Sequence, residues 1–256
     1  MTKHRLLLAC TWLITSPLMA QPVADADGFL NPLGTLEFNP SLDQQEFERA
    51  TNEALQVYDP FEPANRYIYH FNYRFDQWVF LPVVRGYHYV TPDVVETGVS
   101  NFFSNLAEVP TLVNSVLQLK GERVMNSTAR LLFNTILGVG GLWDPASLMG
   151  LPKHREDFGQ TLGHYGMPPG PYLMLPLLGP SNLRDGVGQL TDFGLERYVN
   201  YVGYPDAAND QPALTVLRGI DTRMQTPLGY GQLNSPFEYE KLRYLYTESR
   251  KLKIAD

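Results

Sequence analysis

The segment 160–183 constrains the fold of this chain more than any other part of the sequence. It is uncharged apart from His164, over a length that could cross a bilayer as a single helix. Its prolines and glycines exclude one straight helix, because each proline removes an amide donor and clashes with the preceding turn. These residues are Pro168, Pro169, Pro171, Pro176 and Pro180, with Gly163, Gly166, Gly170 and Gly179. The segment therefore predicts irregular apolar backbone, which ends at the charged pair Arg184–Asp185.

Two environments accommodate such backbone. It can form an extended loop and strand pair inside a soluble core. Alternatively, it can lie at membrane depth, where protein or a water-filled cavity provides hydrogen-bond partners for its backbone groups. Charged residues make up only 18% of the chain and aromatic residues 12%, a balance that is typical of proteins in contact with lipid. No predicted helix reaches 18 uncharged residues, so we expect no conventional spanning helix. The sequence favours an all-α, Gly/Pro-interrupted protein embedded partway into a membrane.

The N-terminus predicts an exported protein. Two basic residues among the first five precede an apolar run at 6–20, the pattern of a signal peptide that is cleaved after Ala20 or Ala26. Cys10 follows Leu-Leu-Ala, which resembles a bacterial lipidation box, although only four apolar residues precede it and the apolar run continues beyond it. Cleavage after Ala20 leaves 18 basic against 27 acidic residues. This balance argues against a nucleic-acid partner, because phosphate binding needs a basic face.

The remainder divides into two regions by composition. Residues 21–56 are polar and acidic, and a capping box at 41–44 predicts a short helix that runs to Leu55. We interpret this region as a peripheral arm. Residues 57–256 are predicted to form one helical domain, because apolar residues at helical spacing recur along it between Gly and Pro breaks.

Aromatic residues at helical spacing mark the start of this domain. Tyr67, Phe71, Phe75 and Trp78 are predicted to share one face of a helix that ends at Leu81–Pro82. Such a stripe is either part of the core or a membrane-interface surface, where an aromatic ring can lie in lipid and keep its polar tip wet. Both interpretations stay open at this point.

Recognisable catalytic chemistry is absent from the sequence. It has neither a G-x-S-x-G elbow nor an H-E-x-x-H motif, and its five histidines show no metal-ligand spacing. We therefore expect a protein that is not an enzyme and that uses neither a metal nor a cofactor.

Several motifs are specific enough to compare with known families. They are D-P-F-E-P-A-N-R at 59–66, N-F-F-S-N-L at 101–106, N-T-I-L-G-V-G-G-L-W-D at 134–144, and F-G-Q-T-L-G-H-Y-G with G-P-Y-L-M-L-P-L-L-G-P-S-N-L-R-D-G between 158 and 186. Together they resemble the MlaA (VacJ) family, the outer-membrane phospholipid-handling lipoproteins of Gram-negative bacteria. The C-terminal part is less similar: I-D-T-R at 220–223 fits, but Ser-Pro-Phe at 235–237 replaces the Asp-Pro-Tyr that is usual in the family.

The resemblance implies a mainly helical ring in the periplasmic leaflet of the outer membrane, with an amphipathic channel at its centre. It also implies that mislocalised phospholipids are taken from the outer leaflet and passed to a periplasmic lipid carrier of the Mla pathway. The implied partners are phospholipids, that carrier and a trimeric porin. Two other functions stay open, a soluble periplasmic lipid-binding protein and a structural adaptor associated with porins.

Residue roles follow as hypotheses. Burying an unpaired charge costs several kcal/mol, so a path for a lipid headgroup must be lined by polar groups. The expected path consists of Arg184, which would attract the phosphate, with Asp185, Asp192, Asn101 and Asn105 along the wall and the segment 166–180 as a mobile rim. The alternative is that Arg184–Asp185 is an ion pair that holds the fold. Asp59, Asn65 and Arg66 are expected to cap and orient the first helix.

Overall fold

The computed structural model describes residues 55–226, 229–231 and 237–256. Contacts divide the chain between Ala54 and Leu55. The predicted signal peptide, Cys10 and all but the last two residues of the predicted arm lie outside the described residues, so the predictions made for them stay predictions.

The described part is mainly helical, with one small hairpin and connecting loops, which confirms the all-α fold class. The helices are α1 (Glu62–Phe75), α2 (Leu81–Val90), α3 (Asp93–Leu106), α4 (Glu108–Leu117), α5 (Gly121–Ile136), α6 (Pro145–Leu148), α7 (Phe158–His164), α8 (Leu183–Val199), α9 (Tyr204–Asp210), α10 (Pro212–Met224) and α11 (Glu238–Ala255). The strands are β1 (Tyr172–Leu175) and β2 (Gly179–Asn182). Within the described ranges, no helix combines the length and hydrophobicity needed to cross a membrane.

The predicted end of the first helix at Leu81–Pro82 is wrong. The chain stays helical from α1 into α2 through a π-helical turn at Asp76–Phe80. Pro82 lies in the first turn of α2, where a proline's fixed φ suits the helix and its missing N–H matters least. The wider turn just before it changes the hydrogen-bond spacing at the point where a proline would otherwise break the helix.

The apolar segment 160–183 contains the strand pair that was one of its predicted forms. β1 and β2 are antiparallel, with Tyr172 opposite Asn182 and Leu175 opposite Gly179. Tyr172 and Met174 are buried and pack with Tyr69 of α1 and Tyr239 of α11. The hairpin is therefore anchored between the first and last helices of the described domain.

Burial in this domain is inverted relative to an ordinary water-soluble protein. Among the described residues, 24 polar or charged residues are buried against 11 hydrophobic ones, while 40 large hydrophobic residues are exposed. A soluble protein shows the opposite preference for its interior, and exposed apolar surface on this scale marks contact with a partner or a membrane.

Helix α5 shows the inversion residue by residue. Its buried face is polar, consisting of Asn126, Ser127, Arg130 and Asn134. Its exposed face carries Met125, Leu132 and Ile136. The same division recurs on α8, which buries Arg184 and Asp185 and exposes Leu183, Val187 and Leu190. In both helices the polar face is buried against neighbouring elements and the apolar face points outward.

Candidate functional site

An open cavity of about 640 Å³, hereafter the main cavity, lies among the π-helical turn, the hairpin turn, α10 and the start of α11. Its apolar wall includes Phe80, Leu177, Leu178 and Leu242. Its charged lining residues are Arg218, Arg223 and Glu238. A wall that offers both apolar and charged groups suits an amphiphile, whose two ends need different surroundings. Among the described residues, no group of three or more His, Cys, Asp or Glu side chains is placed to hold a metal ion.

The two arginines of the main cavity are fixed by paired hydrogen bonds. Arg218 donates to both carboxylate oxygens of Glu196, at 2.8 and 2.7 Å, and lies 5.7 Å from the ring centre of Tyr204. Arg223 donates to both carboxylate oxygens of Asp76, at 2.6 and 3.1 Å. These hydrogen bonds raise the pKa of both guanidinium groups, so the wall keeps rigid, charged ion pairs.

Two asparagines of α1 hold the hairpin by its backbone. Asn65 donates to the carbonyl of Tyr172 at 3.0 Å and accepts from the amide of Met174 at 2.9 Å. Asn72 donates to the carbonyl of Leu175 at 2.9 Å and accepts from the amide of Leu177 at 2.8 Å. The two asparagines are seven residues apart on the helix, or about 10 Å, which matches a rise of about 10 Å over three strand residues. The hairpin turn is thereby set at the rim of the main cavity.

The change Asn72→Ala should loosen the hairpin turn without unfolding the domain. It removes three hydrogen bonds, those to Leu175, Leu177 and the Tyr230 hydroxyl, and leaves the backbone groups of Leu175 and Leu177 without these partners, so we expect a loss of about 2 kcal/mol of local stability. Hydrogen exchange at the Leu177 amide would measure it. His70→Ala is the control, because it truncates an exposed side chain of the same helix and should leave the exchange at Leu177 unchanged. Unchanged exchange at Leu177 in Asn72→Ala would show that Asn72 does not hold the turn.

The capping role expected for Asp59, Asn65 and Arg66 is wrong. Phe61 occupies the N-cap position of α1 without a side-chain hydrogen bond, and a proline stands in the first turn, where it removes one of the amides that need a cap. The three side chains instead tie α1 to the hairpin and to α11. Asp59 accepts from Asn65, Tyr239 and Arg243, and Arg66 contacts Glu62 and Glu240.

Arg184 and Asp185 form the expected ion pair, but it lies away from the main cavity. Arg184 Nε donates to Asp185 Oδ1 at 3.0 Å, and Arg184 Nη1 donates to the carbonyl of Met167 at 3.2 Å. Asp185 also accepts from Arg250 at 3.0 Å and from the Tyr246 hydroxyl at 2.8 Å. Arg184 lines a second cavity of about 340 Å³ beside α11. These contacts favour the fold-holding role, and the role of this pair in lipid transport stays a prediction.

The other three residues of the expected path lie in separate hydrogen-bond networks. Asp192 accepts from Asn114 at 2.9 Å and from the amide of Phe158 at 2.8 Å, and burial raises its pKa. Asn101 donates to the carbonyl of Leu142 at 3.3 Å, and Asn105 donates to the Thr135 hydroxyl at 3.3 Å. None of the five expected path residues is among the described residues that line the main cavity. These five residues therefore lie outside the lining of the main cavity, and their role along a lipid path stays a prediction.

The arginines of the main cavity were not predicted from the sequence. Arg223 belongs to the I-D-T-R motif, but the motif does not reveal that Asp76, 147 residues away, is its partner. The presence of two arginines, Arg218 and Arg223, on α10 was the sequence signal that could have identified them as candidate site residues. The sequence also did not identify Asn72 as a contact of the hairpin, because its partners are backbone atoms of a distant segment.

The aromatic stripe on α1 and the π-helical turn faces outward. Tyr67 and Trp78 are 77% and 78% exposed, Phe71 is also exposed, and Phe75 stacks on Phe71 with ring centres 6.1 Å apart. The inward face of α1 carries Asn65, Tyr69 and Asn72 instead. Tyr67, Phe71 and Trp78 are therefore not part of the core. The membrane-interface role of the stripe stays a prediction.

Apolar residues on the outside, polar side chains inside and an amphipathic cavity together define the class, a helical protein whose apolar surface faces outward. The family model described as MlaA lipoprotein matches residues 57–253. The chain belongs to the MlaA lipoprotein family, as the sequence motifs indicated.

The chain is also similar to individual proteins and to a solved structure. A protein of Rickettsia prowazekii (strain Madrid E) is 45% identical over 209 residues, which cover 80% of this chain and 82% of that protein. The intermembrane phospholipid transport system lipoprotein MlaA of Escherichia coli (strain K12) is 36% identical over 171 residues, 65% of this chain and 66% of the relative. A structure solved to explain the maintenance of bacterial outer membrane lipid asymmetry aligns with a TM-score of 0.65 and 34% identity, over 77% of this chain and 100% of that chain.

Proposed function

We propose that this protein removes mislocalised phospholipids from the outer leaflet of the Gram-negative outer membrane and delivers them to a periplasmic carrier, thereby maintaining lipid asymmetry. The observation that carries the proposal is an amphipathic cavity of about 640 Å³ in a domain whose exposed surface is rich in large apolar side chains. The E. coli relative, an intermembrane phospholipid transport system lipoprotein by name, supports the same substrate class.

The main cavity supplies both halves of a phospholipid with suitable contacts. Acyl chains would lie against Phe80 and the hairpin leucines, while the headgroup would remain beside the arginine–carboxylate pairs. Moving an unpaired charged headgroup through an apolar environment costs several kcal/mol. Fixed ion pairs lower that cost because they offer hydrogen bonds that are already oriented. The hairpin turn, with Leu177 and Leu178 exposed at its tip, would act as the movable rim.

The exposed apolar faces of α5 and α8 would hold the domain in the periplasmic leaflet of the outer membrane as a ring around a central channel. Tyr67 and Trp78 would lie at the lipid–water boundary, where amphipathic rings are favoured. A trimeric porin would share this membrane, and a carrier of the Mla pathway would receive the lipid from the periplasmic side.

The exposed apolar surface also bears on the two alternative functions. A soluble periplasmic lipid-binding protein would turn its apolar faces inward, and α5 does the reverse. A structural adaptor for porins would have the same outer surface but would not need the main cavity. The amphipathic cavity therefore favours transport over the adaptor role.

The test is the phospholipid content of the outer leaflet in a strain that lacks this gene, compared with the same strain after the gene is restored. We expect phospholipid to accumulate in the outer leaflet and the restored gene to reverse the accumulation. If the outer leaflet is unchanged in a strain without a redundant homologue, phospholipid removal is wrong and the adaptor function replaces it.

A further inference from the structure

We infer that the main cavity selects phospholipids whose headgroup carries an ammonium, such as phosphatidylethanolamine, over anionic phospholipids such as phosphatidylglycerol. This inference rests on the proposed transport function and specifies its substrate. It follows from the balance of charges on the cavity wall.

The positive charges of the wall are already neutralised. Arg218 is paired with Glu196 through two hydrogen bonds, and Arg223 with Asp76 through two more. Each pair has a net charge of zero. The wall thus has guanidinium N–H groups to offer to a phosphate, but these two pairs provide no excess positive charge that would attract an anion.

Glu238 is the third charged group of the lining, and its negative charge is not balanced in the same way. Its carboxylate accepts from the amide of Gly231 at 2.5 Å, and among the described residues no lysine or arginine forms an ion pair with it. The N-terminal turn of α11, where Glu238 lies, offsets part of the charge through the helix dipole. Residues 227–237 of the sequence contain no charged side chain, so this stretch adds no counter-charge.

A headgroup with both charges therefore fits this wall better than one with a negative charge alone. The ammonium of phosphatidylethanolamine would pair with Glu238, and its phosphate would accept from the N–H groups of the arginines. The bonds to Glu196 occupy two of the five N–H donors of Arg218. A glycerol headgroup brings no cation, so its lipid would place a net negative charge beside the uncompensated carboxylate.

The experiment uses the full-length protein purified in a neutral detergent. It is incubated with an equimolar mixture of dioleoyl phosphatidylethanolamine and dioleoyl phosphatidylglycerol, and the lipid that co-purifies is quantified by mass spectrometry. We expect phosphatidylethanolamine to be enriched roughly two- to fivefold over the mixture, the range for one partly exposed ion pair. Glu238→Gln should abolish the enrichment while the total bound lipid stays the same.

Two variants serve as controls. Glu122→Gln removes the same charge from an exposed position on α5, outside the cavity lining, and should keep the enrichment. Glu238→Asp keeps the carboxylate and should retain most of the phosphatidylethanolamine enrichment. This variant tests the role of the charge even if Glu238→Gln folds poorly. If the two lipids bind in the ratio in which they were supplied, or if phosphatidylglycerol is enriched, the headgroup selectivity is wrong but the proposed function is not contradicted. Enrichment that persists in Glu238→Gln would overturn the role of Glu238, and a wild-type protein that binds no lipid would contradict the proposed function itself.

Discussion

Replacement of Gly219 by tryptophan should slow lipid movement through the main cavity and leave the fold intact. Gly219 lies on α10 in the cavity lining, and a Cβ atom there would meet the Phe80 ring at 3.6 Å, an ordinary van der Waals contact. The indole would therefore occupy space that the lipid needs. Forcing a lipid past an overpacked site costs about 1–3 kcal/mol, so transfer should slow by roughly ten- to hundredfold.

Transfer of labelled phospholipid from donor vesicles containing the protein to a periplasmic acceptor would measure the rate. Gly194→Trp is the matched control, since Gly194 is an exposed glycine of α8 with no neighbouring atom within 4 Å of an added Cβ. It makes the same change of residue outside the cavity and should transfer lipid at the wild-type rate. Wild-type transfer by Gly219→Trp would show that lipid does not pass through the main cavity.

The second large effect concerns stability. Arg250 of α11 donates to both carboxylate oxygens of Asp157, at 2.5 and 2.7 Å, and to Asp185 at 3.0 Å. Arg250→Met would leave two carboxylates without their shared cation, and one of them, Asp185, is 3% exposed and would still pair with Arg184. Losing one partner of a buried ion pair costs about 3–5 kcal/mol, and Asp157 is partly exposed, so we expect about 3 kcal/mol.

Thermal unfolding in detergent would measure this loss. Lys251→Met is the control, because Lys251 is exposed and pairs with Glu248 on the same helix. Its effect should stay within about 0.5 kcal/mol. Similar melting temperatures for both variants would show that the Arg250 network does not hold α11 in place.

The same network sets an acid dependence. Burial alone would raise the pKa of Asp157 and Asp185, but Arg250 and the other hydrogen-bond donors around each carboxyl together lower the pKa of both from 3.8. A carboxyl whose folded-state pKa is lowered contributes stability above its unfolded pKa and loses it as the pH falls through the folded value. The wild-type free energy of unfolding should therefore decrease below about pH 3.8. The decrease should be smaller in Arg250→Met, and an equal decrease would assign the acid sensitivity to other carboxyls.

Local chemistry made much of this fold predictable. The prolines of the segment 160–183 excluded a long helix, and the segment contains the hairpin β1–β2. Helical spacing placed Tyr67, Phe71, Phe75 and Trp78 on one face, and the structure keeps these rings together on the outward side of α1 and the π-helical turn. The motifs identified the MlaA family before any contact was known. Periodicity and backbone chemistry act over a few residues, so they can be read from the sequence.

Which way each face points was not predictable in the same manner. Helical periodicity groups residues on one face of a helix, but an apolar face can pack equally well against the protein core or against lipid. The aromatic stripe of α1 therefore stayed ambiguous until burial showed that Tyr67 and Trp78 are exposed. The π-helical turn before Pro82 was also missed, because a single proline usually predicts a helix end.

The sequence by itself determined the helical class, the interrupted apolar segment and the family. The tertiary structure alone decided which charged residues meet at the cavity. Arg223 and Asp76 are 147 residues apart, and Arg184, the cation that stood out in the sequence, is held by Asp185 beside a different cavity. The physical reason is that an ion pair depends on distance in space, whereas residue spacing reports only neighbours along one helix or strand.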